Sequence, residues 1–358
     1  MSRWRYFARR VILAIPVLLF STSLTFLIIR AGPIDPVSAV VGLNPDPSFR
    51  IAVAESIGII EQNCVEPGQP EAAFQACRVP LWEQYIQFMT GLFQFELGQS
   101  YNISRGTPVA ELIATRAPVT IWLGFWSVLV AIFIGIPLGF YAGLNPNTLS
   151  DYTASFGGIV WRAMPNFWLG IIIVALLVNS ETLTQEYLGF AFDWSSWIFE
   201  TKVTTAPPLS NLGDPAELGA AIKQILPAAL VLGSASMGNE MRIGRTAVLE
   251  TINSNYVETA RAKGLGPRSI VWKHVFRNAL IPLVPIITAE AFLLLGGSVI
   301  VERVFGINGM GELFLRSVLQ GDLPVAGSLI FIFILITLSI NILQDFLYTV
   351  IDPRIGYE

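Results

Sequence analysis

The chain has 358 residues, of which 53% are hydrophobic and 13% charged, and its mean hydropathy is +0.60. Soluble chains carry about 25% charged residues, so half that fraction leaves too little polar surface for a water-soluble enzyme of this size. The 23 Phe, 9 Trp and 9 Tyr exclude disorder, and a net charge of −4 is too weak to point to nucleic acid. The membrane-like composition favours one polytopic bundle, expected to be all-α.

In chain order, residues 11–29 form the first uncharged apolar run. The flank of Arg3, Arg5, Arg9 and Arg10 would also suit a cleaved signal peptide. A run of 19 residues is long for that, and no small-x-small site follows Ile29, so a retained first helix is expected. Residues 1–30 thus make a tail and first span, and residues 31–117 a long loop. That loop is Pro- and Asp-rich at 44–70. From Pro80 onward Leu81, Trp82, Tyr85, Ile86, Phe88, Met89, Leu92 and Phe93 recur at helical spacing, an amphipathic helix expected to pack on the bundle rather than lie on the membrane.

Residues 118–358 form the core. Its runs are 119–141, 156–178 (interrupted by Arg162 and Asn166), 218–241, 279–301 (with Glu290) and 325–343. Each approaches the 20 residues or so that cross a hydrocarbon layer, giving six expected spans. The run at 218–241 is the weakest, with Lys223 expected to snorkel. Gly135, Gly139, Gly170, Gly296 and Gly297 are expected to permit close helix packing. Pro137, Pro165, Pro282 and Pro285 are expected to kink helices.

Orientation follows from the basic residues. Four arginines precede the first span, and the loop at 242–278 holds seven basic residues: Arg242, Arg245, Arg261, Lys263, Arg268, Lys273 and Arg277. Six spans put both, and Arg354, on one side, expected to be the cytoplasm. The opposite loops are acidic. Residues 34–115 carry nine Asp/Glu against three Lys/Arg, and residues 179–222 carry six against Lys202. The only cysteines, Cys64 and Cys77, both fall in the first external loop. They are read as a disulfide closing a short loop, a gain of about 3 kcal/mol; two idle thiols are the alternative.

No Gly-x-x-x-x-Gly-Lys-Ser/Thr loop and no His-Glu-x-x-His occurs, and His274 is the only histidine. Triads, metal clusters and nucleotide cradles are therefore not expected, nor any cofactor in this chain. Energy must come from an ion gradient or a partner ATPase.

The most informative stretch is 255–282. Ser254 or Asn255 can cap a short helix, and Gly264 sits where a left-handed residue stops it. Gly266-Pro267 keeps it from resuming, and a second amphipathic helix is expected over 269–280. Tyr256, Ala260 and Lys263 are read along one side. A short capped helix on a rigid base suits a plug for another protein's groove. An ordinary basic loop would explain the charge but not the Glu-x-Ala-x-x-x-Gly spacing.

Here the chain resembles the permease subunits of binding-protein-dependent ABC importers, whose cytoplasmic loop carries Glu-Ala-Ala, three residues, Gly. It reads Glu258-Thr259-Ala260, Arg261-Ala262-Lys263, Gly264. Tyr256, the run from Thr259 to Leu265, and His274 with Arg277-Asn278-Ala279-Leu280 are similar to the dipeptide, oligopeptide and nickel branch. So are Asp35-Pro36, Pro108-Val109, Met164-Pro165, Phe167-Trp168-x-Gly170, Gly296-Gly297-Ser298-Val299, Glu302-x-Val304-Phe305 and Asp352-Pro353-Arg354-Ile355. The chain departs from the general motif in Thr259, and its external segments at 44–78 and 200–215 are longer.

The resemblance implies a type I importer permease with an enlarged external loop, non-catalytic and multi-pass in the cell membrane. It implies as partners a second permease, two ATPase subunits that hold ATP and Mg, and an extracytoplasmic binding protein. It assigns ATPase coupling to Tyr256, Glu258, Thr259, Ala260, Arg261, Lys263 and Gly264. Glu258 would pair with a basic ATPase residue, Ala260 would allow close approach and Gly264 would set the turn. Arg261 and Lys263 serve either docking or solubility. Peptides are the favoured substrates, with nickel, opines or oligosaccharides as alternatives. A secondary transporter would show inverted repeats or several buried ionisable residues, and a sensor would lose the plug. Arg162 and Glu290 are either pathway residues, which pair or leave Glu290 to meet a cationic group on the substrate, or else a snorkelling arginine and a protonated packing residue.

Overall fold

The computed structural model describes residues 3–30, 36–41, 46–67, 69, 71–201, 213–283 and 299–351, and among them every regular element is helical. They fall into two compact units: residues 1–7, 117–312 and 339–358 form the first, and residues 8–116 and 313–338 the second.

Among the described residues, four helices are long and apolar enough to cross a membrane. They are Phe7–Arg30 within α1 (Arg3–Arg30), Val109–Leu144, Pro215–Ile252 and Leu323–Phe346. The second is a composite of α6 (Val109–Val130), a π-helical turn at Ala131–Gly135 and α7 (Ile136–Leu144). The run at 156–178, expected as one span, is two helices, α8 (Leu149–Ala163) and α9 (Asn166–Val178), bent by 98°. Pro165 is the cause. It lacks an N–H and its ring pushes the preceding residue out of the helical region, and Met164 sits at φ −76°, ψ 124°. The run at 279–301 falls largely on 284–298, outside the described residues.

The weakest expected span proves the longest helix. α11 (Pro215–Ile252), which follows α10 (Ser180–Leu188), runs 38 residues without a break. Its apolar signal is diluted because small residues replace bulky ones where neighbours approach. Across α7 and the π turn, Gly135, Gly139 and Gly143 lie one turn apart and face α11. A Cβ at Gly135 would come within 2.8 Å of the Met237 carbonyl oxygen, and one at Gly143 within 2.9 Å of that of Arg245. Gly139 is pressed against Met241 in the same way. Lys223 does not snorkel into water. It is buried, and its ammonium donates to the carbonyls of Ser195 and Phe199 beside the Trp194 ring. Asp151 at the start of α8 and Arg245 on α11 form a two-pronged ion pair, 2.6 and 2.7 Å, with the carboxylate almost fully buried.

Two apolar clusters fill the first unit. One joins Leu123, Leu169, Ile225, Val231 and Phe305; the other joins Phe140, Val248, Val257, Val275 and Leu283. Beside the first, the buried Glu302 accepts the Thr120 hydroxyl at 2.9 Å and the Glu312 amide at 2.8 Å. Thr120 in turn accepts the Met310 amide. This network ties α13 (Val299–Val304) to the first turn of α14 (Met310–Leu319), α12 being the helix Asn255–Ala262.

In the second unit, α2 (Pro36–Val41), α3 (Pro47–Ser56) and α4 (Glu71–Ala76) surround a small core of Val37, Val53, Ile60 and Phe74. A disulfide joins Cys64 to Cys77 with their Cα atoms 5.9 Å apart. α5 (Leu81–Gln94) packs on α1: the Tyr85 hydroxyl meets Ser23 at 2.7 Å, and the Tyr85 and Phe88 rings contact Phe26. Its other face leaves Leu81, Trp82 and Ile86 exposed. At the start of α15 (Leu323–Ile351), the buried Asp322 accepts the Ser100 hydroxyl and the amides of Tyr101, Asn102 and Ile103 at 2.6–3.2 Å.

Candidate functional site: the short helix after α11

Two residues beyond α11 the chain turns into α12 (Asn255–Ala262). Ser254 occupies the N-cap with extended backbone, φ −80° and ψ 149°, but its hydroxyl does not cap the helix. It donates back to the Thr251 carbonyl at 2.6 Å, and the Ser254 carbonyl receives the amides of Val257 and Glu258. Thr259, the departure from the general motif, returns its hydroxyl to the Asn255 carbonyl at 2.8 Å. Glu258 in the first turn and Arg261 in the last both match the helix dipole.

The stop is as the glycine requires. Gly264 has φ +76°, its amide bonds the Arg261 carbonyl at 2.9 Å, and the Leu265 amide bonds that of Ala260 at 3.2 Å. These two bonds are a Schellman closure, and the left-handed residue at its centre is cheap only for glycine.

The structure divides the candidate residues. Ala260 and Val257 are buried in the cluster of Val248, Val275 and Ala279. Tyr256, Glu258, Thr259, Arg261, Lys263 and Gly264 are exposed. The expected side of Tyr256, Ala260 and Lys263 is therefore corrected: Ala260 permits close approach of α12 to its own chain, because an eight-residue helix needs one small apolar face for anchorage. The segment expected as a second α-helix over 269–280 is instead a turn at Pro267–Ser269, a π-helix at Ile270–Phe276 and a short turn at Arg277–Ala279. There Val275 is buried and Phe276 packs between Trp272 and Phe140, at 5.0 and 4.9 Å. Trp272 itself is 60% exposed, a surface aromatic near α12 that periodicity did not single out.

Arg162 is exposed in the last turn of α8, next to the Met164-Pro165 break, with its Cβ close to Gly238 of α11. Glu290 lies outside the described residues. Several buried acids were not expected from the sequence: Asp151, Glu240 within α11, Glu302, Glu312 and Asp322. The Asp151 partner is 94 residues away, beyond any local signal. Among the described residues no group of three His, Cys, Asp or Glu is placed to hold a metal ion.

Residues 135–357 match the family model described as binding-protein-dependent transport system inner membrane component. The oligopeptide transport system permease protein AppB of Bacillus subtilis is 33% identical over 353 residues, covering 98% of this chain and 99% of its own. The dipeptide transport system permease proteins DppB of Alkalihalophilus pseudofirmus and Escherichia coli are 29% and 27% identical, each covering at least 98% of both chains. A chain from the inward-facing MetNI methionine ABC transporter aligns with TM-score 0.46 and 20% identity over 68% of this chain and 98% of its own.

Proposed function

Because the chain belongs to the family of binding-protein-dependent transport system inner membrane components, we propose that it forms half the pathway of an ATP-driven importer of di- or oligopeptides. In this reading α12 is where an ATPase subunit docks. The observation that carries it is the build of α12: a helix closed at its end by Gly264, anchored inward by Val257 and Ala260, and presenting Tyr256, Glu258, Thr259, Arg261 and Lys263 outward. A peg of this kind is rigid because both its stop and its base are satisfied within the chain.

In this reading the basic termini and the 242–278 loop lie in the cytoplasm, where the ATPases are, and the acidic loops face the binding protein. A second, related permease supplies the other half of the pathway. ATP and Mg reside on the two ATPase subunits, whose closure pulls on α12 and on its counterpart. Peptide as substrate is supported by full-length similarity to permeases of oligopeptide and dipeptide systems.

The test is reconstitution of the chain with its second permease, two ATPases and binding protein in proteoliposomes. Dipeptide-loaded binding protein is expected to raise ATP hydrolysis severalfold and to drive dipeptide uptake. ATP hydrolysis that ignores dipeptide would overturn the substrate, and failure of the ATPases to co-purify would overturn the docking.

A further inference from the structure

The second unit contains a cavity of about 570 Å³ between the end of α1, the 55–62 segment, α5 and the start of α15. That volume lies within the range of small-molecule sites, roughly 300–1,000 Å³. Among the described residues its wall carries one cation, Arg30, and four acids, Glu55, Glu61, Glu83 and Glu96. A cation beside four carboxylates would ordinarily pair with one of them. Here it does not: among the described residues Arg30 makes no ion pair with any of the four. One guanidinium nitrogen donates to the Ile57 carbonyl, and the other, Nη1, is buried with no hydrogen-bond partner. Glu55 accepts the Asn63 amide at 2.8 Å.

A buried donor left unmade forfeits its hydration without replacement and asks for an explanation such as a bound group. The possible occupants separate by charge. A metal ion needs converging ligands, and no such group occurs among the described residues. An apolar solute would desolvate the charges without pairing them. A simple anion would meet a net excess of three negative charges, and a simple amine would leave Arg30 unanswered. A small molecule with an ammonium at one end and a carboxylate at the other answers both.

We infer that this cavity binds a small zwitterion with separated termini, such as a short peptide, its carboxylate toward Arg30 and its ammonium toward the glutamates. That the bound zwitterion is also the transported solute rests on the importer reading above; the binding does not. The site belongs to the permease itself and needs no binding protein to form.

The experiment is isothermal titration of the full chain in nanodiscs, without binding protein. The probes are alanyl-alanine, its N-acetyl form, its C-terminal amide and putrescine. Alanyl-alanine is expected to bind, and each of the other three to bind at least tenfold more weakly. Glu83→Gln and Arg30→Met should each weaken alanyl-alanine at least tenfold, with Arg30→Lys retaining part of the affinity. Because Arg30 also holds the Ile57 carbonyl, intact Cys64–Cys77 linkage by non-reducing peptide mapping serves as the folding control. Glu96→Gln, at an exposed position, gives an independent variant that should weaken binding severalfold. No binding of alanyl-alanine, equal binding of all four probes, or unchanged affinity in Glu83→Gln, Glu96→Gln and Arg30→Met would each overturn the site. Failure of the peptide-importer reading shows itself separately, as dipeptide-insensitive ATP hydrolysis with this titration still positive.

Discussion

Glu258 and Gly264 act on α12 in different ways, and their substitutions separate docking from folding. Glu258 is exposed and makes the outward face acidic near the helix start. Glu258→Lys inverts that charge while leaving the buried Val257–Ala260 face untouched, so the protein should accumulate normally in the membrane and lose substrate-stimulated ATP hydrolysis. Gly264→Val places a β-branched residue at φ +76°, a cost of about 1–2 kcal/mol that unwinds the closure and should have the same functional effect. Wild-type uptake in both variants would remove the coupling role. The pairing of Arg162 with Glu290 is a separate expectation. Arg162→Met and Glu290→Gln should each impair uptake, and together do no further harm. Additive losses would show that they act apart, with exposed Arg162 reaching toward the headgroups instead.

At the scale of elements, the interface between α8 and α11 combines small residues with a single strong polar contact. Gly238 faces Gly158, while the Asp151–Arg245 pair closes the same interface nearer the α8 start. Removing one member of a largely buried pair leaves the other unanswered, at a cost of about 3 kcal/mol. Asp151→Ala should therefore lower the unfolding temperature of the solubilised protein by several degrees, and adding Arg245→Ala should restore part of it. A double variant as unstable as the sum of the singles would mean that the pair does not couple these helices. Elements of this kind were unevenly legible in the sequence. Uncharged runs and the glycine stop of α12 announce themselves locally, so most spans and the end of α12 could be placed from residues alone. The inward face of α12 could not, because eight residues are too few for a period to show which side has a neighbour. Nor could the ion pair, the length of α11 or the π-helix at Ile270–Phe276, all of which depend on what packs against them.

For the whole molecule, the charge map makes a prediction of its own. With basic residues concentrated before the first span and over 242–278, single cysteines introduced at Ser2 and Arg268 in a Cys64→Ser/Cys77→Ser background should be shielded from a membrane-impermeant thiol reagent in intact cells. One at Gln185 should react. Labelling of all three, or of Arg268→Cys alone, would contradict the orientation. The same arrangement gives α11 a mechanical consequence. At about 1.5 Å per residue its 38 residues make a rod nearly 60 Å long, with close glycine contacts along its middle. A rocking of about 5° around its midpoint would carry each tip through roughly 2.5 Å. Two residues separate one tip from α12, so in the docking proposed above small angles at the centre would become side-chain-sized strokes at the peg.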